Sequence, residues 1–162
     1  MPSSKNISIV KLQVIKEGTL NYGVDHVTCS RELAEVGRKF IGDADREIFV
    51  LVCLDNKNRI SALHIVSIGC LTSSPVHPRE VFKVAILSNA ASIAFVHNHP
   101  SGDPTPSRED IALTMQLIEC GRLFGIRTLD HVILGDGESY VSFSDQAMMS
   151  VKEVRHGLYT GA

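Results

Sequence analysis

The sequence predicts one α/β (α+β) domain, on two observations. Short apolar runs with strand character alternate along the chain with longer runs whose apolar residues recur at helical spacing. The 162 residues, 44% of them hydrophobic and 21% charged, are enough to bury a core and have the composition of an ordinary globular protein. There is no internal repeat and no low-complexity segment.

Taken in order, residues 7–16 alternate apolar and polar positions after Ile9 and predict a strand, ended by Glu17-Gly18-Thr19. Residues 28–40 predict a helix whose Leu33, Val36, Phe40 and Ile41 share a face, stopped at Gly42-Asp43. Residues 47–54 are a continuous apolar run introduced by Glu47. Asp55-Asn56-Lys57-Asn58 supplies turn chemistry, and residues 59–68 return as the second strand of a hairpin, expected to form the centre of the sheet. After Gly69 and a polar loop, His77-Pro78 opens a helix, with Pro78 suited to its first position and Val81, Phe82, Ala85 and Ile86 as its core face.

Residues 92–96 are short, apolar and partly β-branched, and predict a buried strand running into His97. Residues 107–124 predict a helix ended by Gly125. Residues 126–134 form another strand, Gly135-Asp136-Gly137 a turn and residues 140–143 a short strand. Residues 144–162 carry weak signals for one more helix.

The chemistry gathers in the stretch between the last buried strand and the following helix. Residues two apart on a strand point to one side, so His97 and His99 project together and Asn98 points away. Pro100, Pro104 and Pro106, with Gly102, forbid regular structure and predict a tight, stiff loop. Ser107 and Asp110 then open the helix as a capping box with Asp in place of Glu. Both residues are ordinary choices for capping alone. Asp110 is thereby placed in the first helical turn, on a loop able to fold back over both imidazoles. Two histidines and one carboxylate, with a fourth position left to water, make a catalytic rather than a closed structural zinc set.

These residues carry a family resemblance. The pattern His-x-His-x7-Ser-x-x-Asp resembles the JAMM (MPN+) metalloprotease signature. The longer string His97-Asn98-His99-Pro100-Ser101-Gly102-Asp103-Pro104-Thr105-Pro106-Ser107 is similar to the RadC-like branch of that superfamily. Pro78-Arg79-Glu80-Val81-Phe82-Lys83 ahead of it and Leu129-Asp130-His131-Val132-Ile133-Leu134-Gly135 behind extend the likeness over about residues 40–145. The resemblance implies a JAB/MPN, cytidine-deaminase-like fold, a mixed, curved β-sheet with flanking helices, taken here as a single domain over residues 1–162. It also implies a zinc-dependent metallohydrolase that cleaves a peptide or isopeptide amide. In it His97, His99 and Asp110 hold Zn2+, Glu47 is the general base, and Ser107 hydrogen-bonds the oxyanion. Longer RadC-like proteins carry an N-terminal helix-hairpin-helix region, so this sequence is expected to be a short form.

Rival readings sit beside these roles. Glu47 is also an ordinary charged residue at a strand entry, and the capping and oxyanion roles of Ser107 compete for the same hydroxyl. Glu80 is the alternative base, and Glu109 reads as surface. Asp130 and His131 are either a hydrogen-bonding support for a metal-bound imidazole or buried, satisfied polar residues. His26, His64, His77 and His156 have no ligand-like spacing.

Other classes are disfavoured. A net charge of -2 and the absence of a Lys/Arg cluster give no electrostatic support for nucleic-acid binding, which enters only through the family's association with DNA repair. A metal-dependent nuclease therefore lacks its basic groove, and a non-catalytic scaffold does not need the ligands present. No apolar run reaches membrane-spanning length. Residues 1–6 do not open a signal peptide, so the expectation is a cytoplasmic protein. Cys29, Cys53, Cys70 and Cys120 show no Cys-x-x-Cys spacing and read as reduced structural thiols. The expected partner is a peptide or protein substrate, and an open sheet edge leaves a homodimer conceivable.

Overall fold

A computed structural model of the chain describes residues 7–23, 26–69 and 76–150. Its elements are α1 (Ser30–Ile41), β1 (Ile48–Leu54), β2 (Ile60–Ile68), α2 (Pro78–Leu87), β3 (Ser92–Asn98), α3 (Arg108–Phe124), β4 (Arg127–Leu134) and β5 (Tyr140–Ser142). The strands form one mixed sheet in the order β2-β1-β3-β4-β5, with β3 and β4 parallel and the other pairs antiparallel. This mixed sheet with flanking helices is the α/β architecture expected of a JAB/MPN fold.

The continuous apolar run of β1 follows from burial on both faces. Phe49, Leu51 and Cys53 face α2 and α3, where they meet Val81, Phe82, Ala85 and Leu117. Val50, Val52 and Leu54 face α1 and its Leu33 and Ala34. The same alternation on β3 sends Ala94 and Val96 to the α1 side and Ile93 and Phe95 to the other. Gly37 lets α1 approach closely, because a Cβ there would strike the Val96 side chain. The parallel connection from β3 to β4 runs through α3, so the polypeptide leaves β3 at the same end at which α3 begins.

Two expectations are corrected. Residues 7–16 form no strand, and Ile7, Ile9 and Val10 are largely exposed. Alternation shows that a segment suits a sheet but not that a partner edge accepts it, and its amides here find none among the described residues. The β1–β2 hairpin is not the centre of the sheet. β2 lies at an edge, which leaves it half-exposed, and the centre is β3, inserted between β1 and β4. Local turn chemistry establishes that the two strands pair, whereas the other neighbour of each is set by contacts distant in sequence. At the C-terminus, residues 144–149 are turns, and residues 151–162 of the anticipated helix lie outside the described residues.

Candidate metal centre

Strand alternation carries one step beyond Phe95 to deliver His97 onto the α3 side of the sheet, with no exposed surface. His99 lies just past the end of β3, yet its backbone N–H continues the ladder to the Leu134 carbonyl at 2.9 Å. The chain then turns sharply. The Gly102 N–H bonds the His99 carbonyl, and the Asp136 N–H bonds the Gly102 carbonyl, each at 2.9 Å. Gly102 has φ 81°, and a Cβ there would meet the Asp136 carboxylate, so glycine is required on both counts. Ser107 closes the loop as the N-cap of α3. Its Oγ accepts from the Asp110 N–H, and the Asp110 carboxylate accepts from the Ser107 N–H, a complete capping box.

The result is a convergence of three donor atoms. His97 Nε2 and His99 Nε2 lie 3.0 Å apart, His97 Nε2 is 3.3 Å from Asp110 Oδ1, and His99 Nε2 is 3.5 Å from Asp110 Oδ2. A tetrahedral ion with ligands at about 2.0–2.2 Å holds neighbouring donors about 3.3–3.5 Å apart. Both histidine–carboxylate spacings match this and the histidine pair lies about 0.3 Å inside it, so the three side chains could hold such an ion after a small spreading of the two rings. The far ring nitrogens are already engaged. His99 Nδ1 donates to the Asp103 carbonyl at 2.7 Å, and His97 Nδ1 meets His131 Nε2 at 2.8 Å. In the neutral rings this leaves lone pairs on both Nε2 atoms beside a carboxylate, an arrangement that a cation satisfies.

The electrostatics agree. Burial pushes the Asp110 carboxyl up, but hydrogen bonds from His97 and His99, when their rings carry a second hydrogen on Nε2, and from Ser107 outweigh it and hold the group well below the usual carboxylate range. His99 is raised, chiefly by the Asp110 carboxylate against the opposing effect of burial, with the Asp103 carbonyl and the charges of Asp110 and Glu47 adding. His131 is driven well below the usual histidine value by complete burial and by its neighbour His97, so its ring is neutral.

The family model for the RadC-like JAB domain matches residues 27–148. The chain belongs to the RadC-like JAB domain family. Curated relatives similar to it include a UPF0758 protein of Desulforamulus reducens, 53% identical over 112 residues, which are 69% of this chain and 49% of the relative. Another, from Pelobacter propionicus, is 48% identical over 126 residues, 78% of this chain and 55% of the relative. A third, from Methanosarcina acetivorans, is 56% identical over 104 residues, 64% and 45% of the two chains. The chain thus spans about half the length of the curated relatives it matches. No helix among the described residues is long and apolar enough to cross a membrane.

Within this RadC-like domain the other residues singled out from sequence take distinct places. Glu47 stands immediately ahead of β1. The register that pairs Phe49 with His97 puts it, two residues earlier, level with His99 and on the same side of the sheet. It is half-buried, and its charge reaches His99. Asn98, pointing to the other face as expected, accepts from the Ile48 N–H at 2.8 Å and donates to the Arg46 carbonyl at 3.0 Å. It thereby pins the backbone on either side of Glu47. The Ser107 hydroxyl donates to Asp110 Oδ2 at 2.6 Å, so its hydrogen is committed to the capping pair in this arrangement.

Glu80 is exposed on α2 and paired with Lys83, and His77 caps that helix by accepting from the Arg79 N–H at 3.1 Å. Neither belongs to the histidine cluster. His131 does, through His97. Asp130 does not: it accepts from the His131 and Ser144 N–H groups and from the Ser142 hydroxyl, tying β4 to the turn after β5, and its burial raises its carboxyl. Cys53 is buried, and desolvation pushes its thiol up to about 11, as befits an inert core residue; Cys70 lies outside the described residues.

Two participants were missed from the sequence. Thr114, fully buried, has its hydroxyl 2.6 Å from His131 Nδ1. The signal was its position one helical turn after Asp110, on the same face of an apolar helix. The Asp103 carbonyl that orients His99 left no signal, because every residue carries one.

Proposed function

We propose that this chain is a zinc-dependent hydrolase that cleaves an amide bond, peptide or isopeptide. The observation that supports the reading is the convergence of His97 Nε2, His99 Nε2 and the Asp110 carboxylate, held low and ionised, within 3.0–3.5 Å of one another. Zinc bound there supplies Lewis acidity and makes hydroxide available near neutral pH.

The chain's own residues supply the rest. Glu47, level with His99 and held by the Asn98 clamp, takes the proton of the attacking water as the new C–O bond forms. The same carboxyl then returns that proton to the amide nitrogen as the C–N bond breaks, leaving an acid and an amine. Ser107 donates to the oxygen of the tetrahedral intermediate once its hydrogen swings off Asp110, a contribution typically worth about 3–4 kcal/mol. A cleft of about 400 Å³ bordered by Arg38, Asp43, Asn98, His99 and Asp136 reaches the site at His99 alone, from the α1 side.

The test begins with zinc content by mass spectrometry on protein purified without chelator, wild type beside His99→Ala. One zinc per chain, lost in the variant, is the expected result. No zinc in the wild type after reconstitution would overturn the metal reading. Peptide and isopeptide substrates are then screened with Glu47→Gln as the control that keeps the metal and loses turnover.

A further inference from the structure

We propose that Thr114 and His131 form a hydrogen-bonded chain with a fixed direction that sets which ring nitrogen of His97 faces the metal, making both positioning residues for that ion. The inference rests on the metal-site reading above and assigns a function to two buried polar residues otherwise without one.

The direction follows from counting hydrogens, beginning at Thr114. Its hydroxyl oxygen lies 2.6 Å from the Asp110 backbone carbonyl, a group that only accepts. Two bare oxygens at that distance repel, so the single hydroxyl hydrogen sits between them. The Thr114 oxygen therefore presents a lone pair to His131 Nδ1, 2.6 Å away, and His131 carries its hydrogen on Nδ1. A neutral imidazole has one N–H, so His131 Nε2 is bare and accepts at 2.8 Å from His97 Nδ1. His97 is left with its hydrogen on Nδ1 and its Nε2 lone pair facing His99 and Asp110, the form a metal needs.

The surroundings leave little freedom. His97, Thr114 and His131 have no exposed surface, so water cannot replace a link. His131 is boxed in by Phe49, Phe95 and Phe143, with ring centroids at 5.3, 5.7 and 4.9 Å, so its plane is fixed as well. The chain also closes on the site. Thr114 bonds the carbonyl of Asp110, so one helical turn joins a ligand to the support of another ligand. His99 uses a simpler device, the Asp103 carbonyl, which can only accept and so fixes the same tautomer directly. His97 Nδ1 meets a side chain instead, and among the described residues it achieves the result through His131 and Thr114.

The first experiment is nitrogen-15 NMR of the histidine rings in metal-free wild-type protein at mildly alkaline pH, which needs no variant. A hydrogen on His97 Nδ1 before any zinc is added is expected. A hydrogen on Nε2 that moves only when zinc binds would overturn the chain. The second compares zinc affinity, by chelator competition, for the wild type, Thr114→Val and Thr114→Ser. Valine keeps the shape and loses the hydroxyl, so zinc binding should weaken about 10–100-fold, the range for such supporting partners. Serine should restore it close to wild type. Equal affinity for valine and wild type, or serine as weak as valine, would show that Thr114 only packs. If the wild type takes up no zinc at all, the metal reading fails by itself, while the metal-free tautomer still decides the direction of the chain.

Discussion

On the α1 face of β3, Ala94 and Val96 pack against Leu33 and Ala34 in one apolar cluster. On the opposite face of the same strand, Phe95 is followed by His97, which leans on His131 and through it on Thr114. Both faces are equally dry, and the difference lies in what satisfies them. The apolar face is held by contact alone and tolerates loss of a group as lost packing. The polar face is held by a defined sequence of donors and acceptors, in which a single missing hydrogen bond leaves a buried group unpaired. A substitution on the first face should therefore change stability and spare the site, and one on the second should change the site out of proportion to stability.

The largest expected effect on the polar side is on turnover. Glu47→Gln keeps the charge-free shape and should lower the rate of amide hydrolysis by about 10²–10⁴-fold with zinc content intact, the usual range for a lost acid–base group. Undiminished hydrolysis by this variant would move the base elsewhere. The matching change on the apolar side is Leu33→Ala. It should cost about 2–5 kcal/mol in chemical denaturation and leave one zinc per chain. A variant that stays folded but loses its zinc would show that the two faces are coupled, contrary to the comparison.

Ser107→Ala probes the point where fold and site share an atom. Loss of the cap should cost about 0.5–2 kcal/mol of stability. If the hydroxyl also serves the oxyanion, turnover should fall by about 10²–10³-fold; a stability loss with unchanged turnover would leave Ser107 a cap alone.

The smallest effect is the pH response of the metal-free protein. The folded pKa of His99 lies above its ordinary value because of Asp110, so the stabilising pair of charged His99 with Asp110 is complete below the unfolded value. It is lost as pH rises through the raised folded value. Asp110, held low, stays ionised throughout that window. Zinc requires the neutral ring, so its affinity should increase over the same rise. Denaturation midpoints and zinc competition across about pH 5 to 9 should thus slope in opposite directions. Parallel slopes would mean that His99 is not the shared group.

Legibility in the sequence differed from region to region. The elements around the site were readable because each had a local cause: Pro78 at a helix start, Ser107 and Asp110 as reciprocal caps, Gly125 in the left-handed conformation at φ 68°. The convergence of His97, His99 and Asp110 was readable because strand alternation and a proline-stiffened loop constrain a short segment. Residues 7–16 misled because their pattern describes a strand's faces and says nothing about its partner. Thr114 and His131 were hard to connect because 17 residues of helix and turn separate them and neither has an unusual local pattern.

The sequence by itself determined the helices, the strand period and the three donor residues, since these depend on backbone preferences and spacings within a few residues. Tertiary structure alone decided that β3 rather than the hairpin is central, that Glu47 stands level with His99, and that His131 supports His97. Each of these is a contact between segments far apart in the chain. Such contacts are selected by how both faces of the sheet are buried at once, a property no single segment carries.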